Sequence, residues 1–150
     1  MSQEPLTIRV THRFRASPER VFDAWLAPES AGKWLFATPT GRMVRVEVDP
    51  RVGGRFAFVD RRGGEEVEHL GEYLALERPH CLVFRFAVPK FSPERTRVCL
   101  EIVPGDGGCM LTLTHEGVLS AYASRTAEGW TTILDGLEAA LSDGNPSSAR

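Results

Sequence analysis

The spacing of the apolar residues changes near residue 120, and this change most limits what the chain can fold into. Before it, apolar and polar side chains alternate, as at Val44, Val46 and Val48, which is typical of strands with one buried face. After it, apolar side chains follow one face of an α-helix. The residues on that face are Trp130, Ile133, Leu134, Leu137 and Leu141. The sequence therefore favours a sheet that is followed by one long amphipathic helix.

One strand and two short helices are indicated ahead of the main run of strands. Residues 6–15 alternate between apolar and polar and predict the first strand. Ser17, Pro18 and Glu19 then supply a helix N-cap, a proline at the first helical position and an acid in the first turn. We expect the two short helices at about 18–26 and 29–34.

Further alternating segments follow, and the long helix is expected at about 122–142. Because no helix separates these segments, the sheet should be antiparallel. The fold class is therefore α+β, with a curved antiparallel sheet of about six or seven strands around the long C-terminal helix. One domain should span residues 1–141. Residues 142–150 have almost nothing apolar to bury and should form a disordered tail.

Two glycines lie inside the predicted long helix. Each of them, Gly129 and Gly136, should lower helix stability by about 0.5–1 kcal/mol relative to alanine. A close approach between the helix and the sheet would explain why glycine is kept at these positions.

The charges and cysteines exclude several classes of protein. The chain has 18 basic and 20 acidic residues, and the basic ones come in pairs such as Arg61 and Arg62 and not in a stripe, which argues against nucleic acid as the ligand. Three cysteines without a zinc-binding spacing indicate a reducing compartment. We expect neither a metal nor a tightly held cofactor. Neither a signal peptide nor a run of roughly 18 apolar residues is found, so we expect a cytoplasmic protein.

A set of short motifs, taken in order, resembles a known superfamily. The motifs are Ala16-Ser-Pro-Glu-Arg-Val-Phe-Asp-Ala-Trp25, Lys33-Trp34, Val52-Gly-Gly-Arg-Phe56, Gly71-Glu-Tyr-Leu74, Leu82-Val-Phe84, Leu113-Thr-His115 and Gly129-Trp130. Together they resemble the SRPBCC (START-like) superfamily and, within it, the homologues of the activator of heat-shock-protein-90 ATPase. The likeness covers about residues 7–141. It implies a helix-grip fold, in which the sheet wraps the long helix and leaves an apolar cavity between them.

The aromatic residues of the predicted sheet and helix are candidates for the lining of that cavity. Ligand pockets are mainly apolar with a few polar groups, and this composition fits a small hydrophobic or amphipathic molecule. The expected lining residues are Trp34, Phe36, Phe56, Phe58, Tyr73, Phe84, Phe86, Leu113, His115, Trp130 and Leu134. Trp34, Phe36, Phe58 and Trp130 should lie near the mouth. The alternative for all of them is ordinary core packing.

His115 is the polar member of this set. It continues the apolar row of Leu111 and Leu113, so its ring should point inward. A neutral imidazole there could bind a ligand oxygen or shuttle a proton, while the alternative is a structural histidine whose hydrogen bonds are satisfied. No Gly-x-Ser-x-Gly turn is found and each cysteine has apolar neighbours, so no catalytic residue is assigned.

We therefore expect a protein that binds a small hydrophobic or amphipathic molecule, rather than an enzyme. One alternative is an enzyme with cyclase-like or hydratase-like acid–base chemistry, in which His115 works with a carboxylate or with Tyr73. Another is a chaperone-associated or stress-response protein that acts through its charged outer surface, for which Arg61 and Arg62 are test positions. The expected partner is the small molecule, and the alternatives are a second copy of the chain or a chaperone.

Overall fold

The computed structural model describes residues 5–35, 42–88 and 96–143. Within these ranges the chain forms one sheet of seven strands and three α-helices, together with a single 3-10 turn at Ser120–Tyr122. The elements are β1 (Pro5–Phe14), α1 (Pro18–Leu26), α2 (Pro28–Trp34), β2 (Arg42–Val48), β3 (Arg55–Arg62), β4 (Glu65–Glu77), β5 (Cys81–Ala87), β6 (Thr96–Gly105), β7 (Gly108–Leu119) and α3 (Ala123–Asp143).

The strands are ordered β1-β7-β6-β5-β4-β3-β2, and every neighbouring pair is antiparallel. Strands β2 to β6 each pair with the next strand in sequence, while β1 lies at one edge of the sheet, beside β7. The α+β class and the helix-grip architecture predicted from the sequence are confirmed. The face of the sheet that packs against α3 is called the inner face below.

The first helix begins where the sequence predicts. The Ser17 hydroxyl accepts a hydrogen bond from the backbone N–H of Arg20 at 3.2 Å, which satisfies one of the free donors of the first turn. Its buried face includes Phe22 and Trp25. On the exposed face of this helix, Asp23 accepts two hydrogen bonds from Arg78, the residue that follows β4, and this pair lowers the pKa of the Asp23 carboxyl.

Helix α3 covers the inner face with the apolar stripe seen in the sequence. Trp130, Leu134 and Leu137 are buried in one core cluster with strand residues such as Leu100 and Leu113. Two polar contacts hold the C-terminal half of the helix. Nε2 of His12 on β1 lies 2.7 Å from Oε1 of Glu138, and Arg20 of α1 donates to the Leu141 carbonyl at 2.9 Å.

The two helical glycines have different surroundings. A Cβ on Gly136 would lie 3.3 Å from Cβ of Trp34, so α3 passes close to α2 at this point. A Cβ on Gly129 would meet no atom within 4 Å. The expected close approach therefore exists at one glycine only, and it is made to a helix and not to the sheet.

At its C-terminal end, α3 reaches Asp143, so the segment predicted as a tail, residues 142–150, begins inside the helix. Residues 144–150 lie outside the described residues, and the tail stays a prediction. Among the helices of the described ranges, none is long and apolar enough to cross a membrane.

Candidate functional site

The predicted inward orientation of His115 produces a chain of hydrogen bonds across four elements. The indole N–H of Trp130 on α3 donates to Nδ1 of His115 at 3.0 Å. Because an indole nitrogen can only donate, Nδ1 is an acceptor and the imidazole proton lies on Nε2. Nε2 lies 2.6 Å from the hydroxyl of Thr96 on β6, to which it therefore donates. That hydroxyl donates to the Phe86 carbonyl on β5 at 3.0 Å.

Burial keeps this imidazole neutral. His115 is 4% exposed, and removal from water lowers its pKa to about 4. At neutral pH both ring nitrogens are therefore occupied, one as an acceptor and one as a donor. The arrangement corresponds to the satisfied structural histidine that the sequence left as an alternative.

A cavity of about 290 Å³ opens beside this hydrogen-bonded chain, and we call it the edge pocket. It lies between the end of β5, the start of β6, the end of β7 and the first turns of α3. Phe86, Val118 and Leu119 supply apolar wall, and Thr96 and His115 supply polar wall. The first turn of α3 and the turn before it add the side chains of Tyr122, Arg125 and Thr126.

A β-bulge shapes one wall of the edge pocket. On the edge strand, Leu6 pairs with Val118 and Thr7 pairs with Glu116, so Gly117 is an extra residue in β7. Its φ of +89° lies in the region that favours glycine. Gly117 also faces Thr96, since a Cβ built on it would lie 3.6 Å from the threonine methyl.

Two of the predicted lining residues, Phe86 and His115, contribute to the edge pocket. Most of the others are packed against one another in the core, and as ligand contacts they stay predictions. The residues placed in that core are Trp34, Phe56, Phe58, Tyr73, Phe84, Leu113, Trp130 and Leu134. Phe36 lies outside the described residues.

Trp34 and Trp130, which were expected near the mouth of the cavity, are both buried in the core. Trp34 is 4% exposed and Trp130 is 3% exposed. The ring centroid of Trp25 lies 4.9 Å from that of Trp34, in an edge-on arrangement, and 6.4 Å from that of Trp130. Each tryptophan belongs to a different helix, so the packing of their rings stabilises the contact of α1 with α2 and with α3.

Several residues of the edge pocket were not singled out from the sequence, although it contains a signal for them. Thr96 lies two positions before Val98 and four before Leu100, so it shares their inward face. Tyr122, Arg125 and Thr126 fall at the i, i+3 and i+4 spacing that places residues on one side of a helix. The pattern does not show that Thr96 and these three residues come together around one pocket.

A second cavity, of about 440 Å³, lies on the outer face of the sheet. Its lining residues include Ala57 and Leu70, together with Arg55, Glu72 and Arg85. Glu72 lies in direct strand register with both arginines. Opposite charges in direct register compensate each other. The edge pocket lies beside the buried hydrogen bonds of His115 and Thr96 and is therefore the stronger candidate site.

A second buried histidine, His69, also lies near the ring of Phe86. His69 on β4 is 6% exposed, its ring is nearly parallel to that of Phe86, and its Nδ1 lies 3.2 Å from the Phe58 carbonyl. Burial lowers the pKa of His69 to about 4. Beside it the buried Asp60 forms an ion pair with Arg62.

Of the three cysteines, Cys109 is buried and Cys81 and Cys99 are half-buried. Cys81 and Cys99, on neighbouring strands, share a thiol hydrogen bond, and burial raises the pKa of Cys99 to about 11. Burial also raises the pKa of Cys109. Within the part of the chain that the structure describes, no three histidine, cysteine, aspartate or glutamate side chains come together as a metal site.

An antiparallel sheet that grips a long C-terminal helix, with a pocket between them, defines the helix-grip class. The sequence matches one family model over residues 15–142, described as "Activator of Hsp90 ATPase homolog 1-like protein". The chain therefore belongs to the family of activator of Hsp90 ATPase homolog 1-like proteins. The resemblance inferred from the ordered motifs is confirmed.

Solved structures of bacterial proteins share this architecture. A protein from Chromobacterium violaceum is 28% identical, with a TM-score of 0.81 over 89% of this chain and 94% of its own. The AHSA1-like protein from Aeromonas hydrophila is 22% identical, with a TM-score of 0.80 over 92% of this chain and 93% of its own. A protein of unknown function from Staphylococcus aureus is 17% identical, with a TM-score of 0.83 over 99% of both chains. The comparison with curated proteins finds no match.

Proposed function

We propose that this protein binds a small amphipathic molecule in the edge pocket. The observation that carries the proposal is the division of the pocket wall into an apolar part, formed by Phe86 and Val118, and a polar part, formed by Tyr122, Arg125 and Thr126. Small-molecule sites are mainly apolar with a few well-placed polar groups. The volume of about 290 Å³ lies at the small end of the usual range, which favours a ligand of modest size.

The hydrogen bonds of His115 support a binding role over acid–base catalysis. A general base must accept a proton from its partner, whereas Nε2 of His115 donates to Thr96. A pKa of about 4 also makes this imidazole a weak base at neutral pH. Tyr73, the other group considered for acid–base chemistry, packs 5.5 Å from the ring of Phe56, and burial raises the pKa of its phenol.

The outer charges support the chaperone-associated alternative less well. Arg61 pairs with Glu66 at 2.7 Å, and Arg45 pairs with Glu47 at 3.0 Å, both on exposed side chains. Such pairs are typical of a solvated surface. Arg61→Glu is the appropriate variant for a partner test, because Arg62 pairs with the buried Asp60 and its reversal would disturb the fold.

Native mass spectrometry of the protein purified from cells tests the proposal. We expect a population of molecules with added mass, and extraction should release a small amphipathic compound. A matched pair of variants localises it: Thr126→Trp fills the edge pocket from α3, while Thr131→Trp places the same ring on an exposed position of the same helix. Retention of the added mass in Thr126→Trp would contradict the proposal.

A further inference from the structure

The inner wall of the edge pocket has no spare hydrogen-bond donor on its polar side chains. Both nitrogens of His115 are engaged, and the hydroxyl proton of Thr96 is directed to the Phe86 carbonyl. A polar head placed against this wall would lose bonds to water without gaining a donor in return. The inner end of the pocket therefore suits the apolar part of a ligand.

The mouth of the edge pocket has the opposite character. Among the described residues that line the pocket, Arg125 is the only charged one, and none of those residues carries a carboxylate. Arg125 is exposed at the start of α3, and within residues 5–35, 42–88 and 96–143 it forms no ion pair. Its guanidinium is thus available to an anionic group, for which its planar row of donors is well suited.

We propose that the ligand is an anionic amphiphile, whose carboxylate pairs with Arg125 at the mouth and whose apolar chain lies against Phe86 and Val118. This inference rests on the proposed function and adds both the charge of the ligand and its orientation. A carboxylate held at the mouth keeps its hydration on one side, which avoids the large penalty for burying an unpaired charge.

Isothermal titration calorimetry with octanoate, 1-octanol and octylamine tests the inference, because the three probes share one apolar chain and differ in head-group charge. We expect octanoate to bind about five-fold more tightly than 1-octanol, which is the range of an exposed ion pair, and octylamine to bind most weakly. Arg125→Gln should bring the ratio of octanoate affinity to 1-octanol affinity down to about one. Arg125→Lys should keep part of the preference for octanoate, and Arg9→Gln, on the outer face of β1, should keep all of it.

The possible failures are distinguishable. Equal affinity for octanoate and 1-octanol, or a preference for octanoate that survives in Arg125→Gln, would overturn the inference and leave the proposed function standing. If none of the three probes binds the unmodified protein, the proposed function itself fails. A preference for octanoate that weakens as salt is raised would further support pairing with a partly exposed charge.

Discussion

The indole N–H of Trp130 lies 3.0 Å from Nδ1 of His115, and this contact determines which imidazole nitrogen carries the proton. It ties α3 to β7, and the bonds that continue through Thr96 tie β7 to β6 and β5. The same series of hydrogen bonds therefore forms part of the edge-pocket wall and holds α3 against the sheet. Substitutions that break these hydrogen bonds should therefore change both the stability of the protein and the shape of the pocket.

Trp130→Phe should destabilise the protein more than Trp34→Phe. Both substitutions keep a buried aromatic ring and remove an indole N–H. The N–H of Trp130 has His115 as its acceptor, whereas the N–H of Trp34 has no partner among the described residues. We expect a difference of about 1–3 kcal/mol in the free energy of unfolding, because Trp130→Phe leaves a buried acceptor unsatisfied. Urea unfolding of the two variants measures it, and equal losses would contradict the assigned bond.

Stability should fall as the pH is lowered from about 7.5 to about 5. His69 and His115 have a pKa of about 4 in the folded protein, below the ordinary value of 6.5, so the unfolded chain takes up protons first. Each imidazole should then contribute a loss of about 2 kcal/mol over this interval. His115→Gln should show a smaller fall between the same two pH values in urea unfolding. A flat profile for the unmodified protein would contradict the burial of these rings.

Alanine should have opposite effects at the two helical glycines. Gly129→Ala adds a methyl group in open space and should stabilise the protein by about 0.5–1 kcal/mol through helix propensity. Gly136→Ala would place its methyl 3.3 Å from Cβ of Trp34, so the gain should be lost or reversed. Thermal unfolding of the pair is the measurement. Equal stabilisation by both substitutions would show that α2 does not approach α3 as closely as described.

Trp34→Ala should destabilise the protein at least as much as Leu137→Ala. If Trp34 lay at a cavity mouth, its replacement by alanine would remove few contacts. The ring of Trp34 instead packs against Trp25, and its Cβ lies close to Gly136. Removal of a buried tryptophan costs about 3–5 kcal/mol, against about 2–5 kcal/mol for a buried leucine. Denaturant midpoints compare the two variants, and a clearly milder effect of Trp34→Ala would restore its place at the mouth of a cavity.

The sequence was sufficient for the fold because periodicity is a local property. The alternation in the strands and the spacing of Trp130, Leu134 and Leu137 each specify a face without any knowledge of the partner. The site was only partly predictable. The inward direction of His115 follows from its strand, but its bonds join residues that lie 15 and 19 positions away in sequence, so they depend on how the elements pack.

The division between pocket and core was the least predictable feature. Aromatic residues such as Phe58 and Phe84 have the same pattern whether they line a cavity or fill it, and the packing of neighbouring rings decides between the two. The wall formed by Thr96 and Arg125 appears only when the start of β6 is placed against the start of α3.

Titration with an environment-sensitive apolar dye tests most directly whether the edge pocket is a binding site. The account predicts saturable binding to the unmodified protein and to Thr131→Trp, and binding weakened by about ten-fold or more in Thr126→Trp, whose added ring occupies the pocket. The unfolding midpoint of each variant confirms that the comparison is made on folded protein. Equal dye affinity in all three proteins would contradict the assignment of this pocket.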